Sequence, residues 1–218
     1  MKKNNKGFTL VELIVVTALM TIIMGAVLAI LSPVQKNYQR IHDTTFQEKV
    51  CITLGDSLSD TLKFAGNIKI VNQSDAASVN ASVYKHFYKI DNTSARTGAK
   101  KDAVGVITKG LSSNLSQESV VLGADFYGND SFKIKIGEYG TSDKKNYLRI
   151  DFEANSMTYQ GGGYVKDTSS TYKYSKAIEF VNINNFDKLD GSKSLNLSVD
   201  SGLNDDIYYI FYNEPGEF

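Results

Sequence analysis

The residue in this chain with the clearest chemical potential is a carboxylate. Glu12 sits within a run that is otherwise almost continuously apolar from Phe8 to Leu31. A charge at the centre of a bilayer costs about 2.5 to 3.5 kcal/mol on insertion scales, and less near the interface. Four residues past Phe8, Glu12 is shallow enough to be tolerated there as an interfacial carboxylate. A cationic partner would give it a function, and the junction ahead of it can supply one. Gly7 leaves the peptide bond to Phe8 unhindered, and a cut there makes Phe8 a new amino terminus. That amine, on a neighbouring copy, would pair with Glu12. Buried between apolar helices, such a pair is better evidence of register than of net stability.

The other reactive side chains form no comparable constellation. Of the 2 histidines, His42 falls among polar residues of a helical segment, and His86 in "VYKHFYKI" shares a strand face with Tyr84 and Tyr88. Both read as packed or solvated side chains rather than ligands, and HExxH and CxxC spacings are absent. "GVITKG" imitates phosphate-loop glycines, but Leu111 stands where the lysine is required. "SVYK" and "STYK" fit Ser-x-x-Lys without its companion motifs. Asp187, Asp190, Asp200, Asp205 and Asp206 cluster late in the chain. Their spacing is not that of an EF-hand, and aspartate with glycine is ordinary turn chemistry. The single Cys51, beside an apolar stripe, reads as a buried free thiol and excludes an intramolecular disulfide. No catalytic residue, metal site or cofactor is expected.

The elements that must carry Glu12 begin with the apolar run itself. From Phe8 to Leu31 it measures about 36 Å as a helix, enough to cross a hydrocarbon layer of about 30 Å. It exceeds the h-region of a secretory signal, about 7 to 15 residues. Lys2, Lys3 and Lys6 precede it with no acidic residue among them, which predicts a cytoplasmic N-terminus and an exported remainder. Pro33, with Gly25 upstream, predicts a kink near residues 29–33. Beyond it, Val34, Tyr38, Ile41, Phe46, Val50, Leu54, Leu58 and Leu62 mark a stripe of an amphipathic helix with Gly66 as its stop.

Together, "KGFTLVEL", the basic leader and the spanning helix resemble the class III signal of type IV pilins and pseudopilins. The resemblance covers only about the first 35 residues. It implies that a prepilin peptidase cuts after Gly7 and methylates the N-terminus of Phe8, with Glu12 as the assembly glutamate. The methylated amine keeps its charge. The partners implied are the prepilin peptidase, other pilin subunits, the pilus assembly platform, and the lipid bilayer before assembly. The missing cysteine pair departs from the common pilin pattern, so no disulfide-bounded loop is carried over. A large β-rich head resembles minor pilins and J-type pseudopilins, while retention of Glu12 argues against the tip-subunit class.

After residue 66 the apolar period changes to two. "FKIKI", "YLRIDF" and "LNLSV" alternate cleanly, and further strands are predicted at Ile68–Val71, Val83–Ile90, Val104–Thr108, Val120–Leu122, Met157–Gln160, Ile178–Ile183 and Ile207–Tyr212. "IYYIFY" is apolar on both faces, which predicts an interior strand. "DNTSARTGAKKDA" and "GGGYVKDTSSTYKYS" read as the longest loops. The fold expected is therefore α+β, a long helical spine with an antiparallel β head. It divides into a leader at 1–7, an assembly helix at 8–32, an amphipathic helix at 33–66 packing on the head, and an extracellular head at 67–218. With 24 basic and 24 acidic side chains in 218 residues, the chain shows no electrostatic footprint for nucleic acid. Its function reads as a structural pilus subunit. A membrane-anchored binding module that does not polymerise is the alternative, and a membrane-tethered hydrolase a distant third.

Overall fold

The computed structural model describes residues 9–93, 107–128, 130–142, 145–160, 163–182, 185–186, 196–199, 203 and 206–217. The chain divides into two compact units, Met1–Thr45 and Phe46–Phe218. Helix α1 runs from Leu10 to Leu62 and continues through Pro33. In the first unit its large apolar side chains, from Leu10 to Leu31, are exposed. Thr17 and Thr21 donate their hydroxyls to the carbonyls of Ile14 and Thr17, so they ask nothing of the surroundings.

The expected stripe divides into two parts. Val34, Tyr38 and Ile41 are exposed, whereas burial begins at Phe46 and continues through Val50, Leu54, Leu58 and Leu62. The reason lies in helical phase: Ile41 and Phe46 are five residues apart, about 140° around a helix rather than on one face. Gly66 does not cap the helix, which ends at Leu62, and its N–H donates to the Asn213 carbonyl at 3.2 Å.

The second unit is β-rich. Its strands are β1 (Ile68–Asn72), β2 (His86–Asp91), β3 (Ile107–Leu111), β4 (Glu118–Val120), β5 (Ser131–Ser142), β6 (Lys145–Gln160), β7 (Gly163–Glu179), β8 (Asn185–Phe186), β9 (Asn196–Val199) and β10 (Ile207–Tyr212). A short helix α2, Gln73–Ala76, follows β1, and a 3-10 turn covers Ala124–Tyr127. Among the described residues one sheet has the order β4-β3-β2-β10-β1-β9-β8 and a second the order β5-β6-β7. The pairings are antiparallel except β1 with β9 and β8 with β9. The α+β class with an antiparallel head is thus the observed one, with a parallel extension at one sheet edge.

β10 lies between β1 and β2, as its two apolar faces predict. Tyr208, Ile210 and Tyr212 enter the main core with Leu54, Leu58, Ile134, Ile150 and Phe152. Tyr209 and Phe211 join a second core with Val71, Ala76 and Phe87 on the other face. Helix α1 approaches the smaller sheet closely at Gly55, where an added Cβ would stand 3.2 Å from the Tyr174 ring and 3.5 Å from that of Phe152.

Several strand boundaries differ from expectation. "GGGYVKDTSSTYKYS" is largely strand, since residues 163–175 belong to β7. Tyr172 and Tyr174 sit opposite Ala154 and Phe152 and pack on the core, a long-range pairing that outweighs the local Ser/Thr-rich composition. Met157–Gln160 is not a separate strand but the end of β6. The strand expected from Val83 begins at His86, because the Asn213 side chain binds the Val83 carbonyl and the Lys85 N–H. The segment expected to run to Ile183 leaves β7 after Glu179, where the Val181 N–H turns to the Lys63 carbonyl at 3.0 Å. Residues 94–103 of the other expected loop lie outside the described residues.

Candidate assembly site at the helix start

Leu10 opens α1, which makes Thr9 the N-cap and Glu12 the third helical position. The Thr9 N–H and hydroxyl each donate to Glu12 Oε2 at 2.9 Å, and the Glu12 N–H donates to Thr9 Oγ1 at 3.3 Å. This is a reciprocal capping box, which satisfies backbone N–H groups that a helix start leaves orphaned. Glu12 also places its negative charge at the positive end of the helix dipole. Its carboxylate therefore has a structural task besides any pairing between copies. The signal for it was present in the sequence as Thr-x-x-Glu ahead of an apolar run.

Among the described residues, the hydrogen bonds to the Glu12 carboxylate come from Thr9 and use Oε2. That geometry leaves Oε1 as the oxygen available to a second donor. Gly7 and Phe8, the expected cleavage and methylation residues, lie outside the described residues.

The remaining candidates are dispersed. His42 is exposed beside Asp43, at 3.7 Å. His86 faces Glu217 at 3.0 Å and stacks on Tyr212, which stacks in turn on Tyr88, while Tyr84 precedes the strand. Cys51 is fully buried in the core, and burial pushes its thiol up to about 12, which keeps it protonated and unreactive. Ile107 to Gly110 of "GVITKG" form strand β3, which presents a ladder rather than a phosphate cradle. Lys173 of "STYK" is an exposed β7 side chain paired with Glu153 at 3.7 Å. Of the late aspartates, Asp206 is described and exposed, and the other four lie outside the described residues. Among the described residues no group of three or more His, Cys, Asp and Glu side chains could hold a metal. A shallow hollow of about 500 Å³ is lined by Asn72, Gln73, Ser74, Thr93, Asp206 and Ile207.

Helix α1 is long and apolar enough, near its N-terminus, to cross a membrane. Residues 2–28 match the prokaryotic N-terminal methylation motif. No curated protein and no solved structure matches the chain. The motif match, together with the exposed apolar helix it covers, supports a type IV pilin-like protein.

Proposed function

We propose that this protein is a structural subunit of a type IV pilus or a related pilus-like machine, and a minor rather than a major one. A prepilin peptidase cuts between Gly7 and Phe8 and methylates the new amine. The helix waits in the bilayer with its N-terminus cytoplasmic and its head outside. An assembly platform then draws it into a bundle with other pilin subunits at the cell surface.

The observation that carries this reading is the placement of Glu12. It heads a helix whose large apolar side chains are exposed from Leu10 to Leu31, inside a matched methylation motif, and its Oε2 is held by Thr9 while Oε1 faces no described donor. Lipid is as apolar as leucine, so apolar surface alone does not select helix partners, and a polar pair such as Glu12 with a neighbour's amine supplies the selection.

The test is the N-terminal peptide of the protein from cells with an active prepilin peptidase, read by mass spectrometry. A peptide beginning at methylated Phe8 is expected, and an intact leader overturns the reading. Glu12→Ala then separates a polymerising subunit from a membrane-anchored binding module. It should abolish incorporation into filaments while leaving the processed chain in the membrane, whereas a simple anchor would be indifferent.

A further inference from the structure

The triplet Asn-x-Ser recurs along the chain, at Asn72, Asn80, Asn92, Asn114, Asn129 and Asn196. In an exported protein it is the acceptor for a sugar on the asparagine amide, and such an acceptor has to sit in a surface loop. The fold sorts these positions. Asn92 is occupied, since its amide donates to the Ile134 carbonyl at 2.7 Å and its oxygen accepts the Ile134 N–H at 2.8 Å. Asn72 is held in the β1–β10 ladder opposite Tyr208, and the Ser74 hydroxyl donates to Asp75 Oδ2 at 3.1 Å. Asn129 and the side chain of Asn196 lie outside the described residues.

Asn80 and Asn114 differ from these. Both are exposed, one in the loop before β2 and the other in the loop between β3 and β4. In each, the side-chain oxygen accepts the N–H two residues on, from Ser82 at 2.9 Å and from Ser116 at 3.2 Å. This Asx turn engages Oδ1 and leaves Nδ2 without a partner among the described residues. The turn accounts for the asparagine but not for the serine. It takes only the backbone N–H of the third residue, which every residue except proline supplies. The hydroxyls of Ser82 and Ser116 belong to exposed residues and have no partner among the described residues.

The two turns are neighbours. The Ser112 N–H donates to the Lys85 carbonyl at 2.9 Å, tying one loop to the other, and Tyr84 and Leu115 pack on the same core cluster. Each asparagine also has an exposed aliphatic residue fixed beside it by a backbone hydrogen bond. Val83 donates its N–H to the Asn80 carbonyl at 3.0 Å, and the Leu111 carbonyl accepts the Asn114 N–H at 2.9 Å. At 43% and 54% exposure, these are apolar side chains that a sugar on the adjoining asparagine would shield from water.

We propose that Asn80 and Asn114 are glycosylation sites, each taking a glycan from a donor in which the sugar is joined through pyrophosphate to a membrane polyprenol. The asparagine Nδ2 attacks the anomeric carbon of the donor sugar. The carbon–nitrogen bond forms as the bond from that carbon to the phosphate oxygen breaks, and the polyprenyl pyrophosphate leaves with the electron pair. The amide gives up one of its two protons to a base of the transferase, and nothing is oxidised or reduced. The inference rests on the reading above that sets the head outside the membrane, since Asn-x-Ser is an acceptor in exported chains.

The test is peptide mass spectrometry of the full-length protein from its native cells, with fragmentation that keeps a sugar on its residue. Glycan mass is expected on Asn80 and on Asn114, and none on Asn92. Ser82→Ala and Ser116→Ala keep the turns, which use the backbone N–H, and each should strip the glycan from its own asparagine while leaving the other modified. Ser82→Thr and Ser116→Thr should retain both glycans. A bare asparagine at either site, sugar carried by the serines, sugar on Asn92, or glycan that persists in the alanine variants each overturns the proposal. The N-terminal peptide is read from the same digest. Methylated Phe8 with bare asparagines removes the glycosylation sites and leaves the pilin reading standing, while an intact leader with glycan on both asparagines does the reverse.

Discussion

At the scale of single residues, Glu12 and Glu217 show a carboxylate doing local work before any partner is considered. Glu12 closes the first turn of α1 through Thr9. Glu217 accepts the Glu214 N–H at 3.0 Å and meets His86 at 3.0 Å, fastening the last described turn of the chain onto β2. The backbone hydrogen bond from Glu214, followed by His86, holds the Glu217 carboxyl below its ordinary value. A depressed carboxyl contributes stability that is complete above its unfolded value and is lost as pH falls through the folded one. Glu217→Gln should therefore be less stable than the parent at neutral pH. The two melting temperatures should converge as the solution is taken well below pH 4, the region of unperturbed carboxylates at about 4.3. A gap that stays constant down to acid pH would show that the carboxylate charge has no part in the contact.

Elements depend on how closely they approach, and Gly55 sets the approach of α1 to the β5-β6-β7 sheet. Its absent side chain lets the Tyr174 ring and the Lys176 and Phe152 side chains come within contact of the helix backbone. Beside it, Lys176 Nζ reaches Asp56 Oδ1 at 2.8 Å. A large side chain there has to push the helix off the sheet. Gly55→Leu should cost about 1 to 3 kcal/mol, the usual range for overpacking a core. A denaturant titration reads this as a lowered midpoint, with the native far-ultraviolet circular dichroism kept at zero denaturant. The sequence pattern drew this helix face as one stripe from Val34 to Leu62, whereas burial begins only at Phe46, since apolar periodicity reports that a face exists and says nothing of what meets it.

Across the β-rich unit as a whole, the two sheets are joined by a few polar clasps as well as by their shared core. Asn92, just past β2, donates to the Ile134 carbonyl at 2.7 Å and accepts the Ile134 N–H at 2.8 Å. Tyr208 of β10 donates to the same carbonyl at 3.1 Å. Together they satisfy the Ile134 N–H and carbonyl of β5, backbone groups that this edge strand would otherwise leave unpaired. Asn92→Ala would leave the Ile134 N–H without that acceptor, at a cost of about 1 to 3 kcal/mol for a buried orphan. Amide exchange at Ile134 should rise markedly in this variant, and unchanged protection there would show that the clasp carries no stability.

By itself the sequence determined the features that arise from local chemistry. A continuous apolar run dictates a spanning helix, period-two alternation dictates Phe132–Ile134 and Leu148–Phe152 as strand faces, and an all-apolar "IYYIFY" dictates an interior strand. The methylation motif was legible as well, because its residues are contiguous along the chain, and the match at residues 2–28 spans Gly7, Phe8 and Glu12. Tertiary structure alone decided where long-range partners override composition. It made a strand of the Ser/Thr-rich stretch in β7, because Tyr172 and Tyr174 find β6 and the core. It also started β2 at His86, because Asn213, far along the chain, occupies the backbone of Val83 and Lys85. Such hydrogen bonds join residues distant in sequence, and no local pattern encodes them.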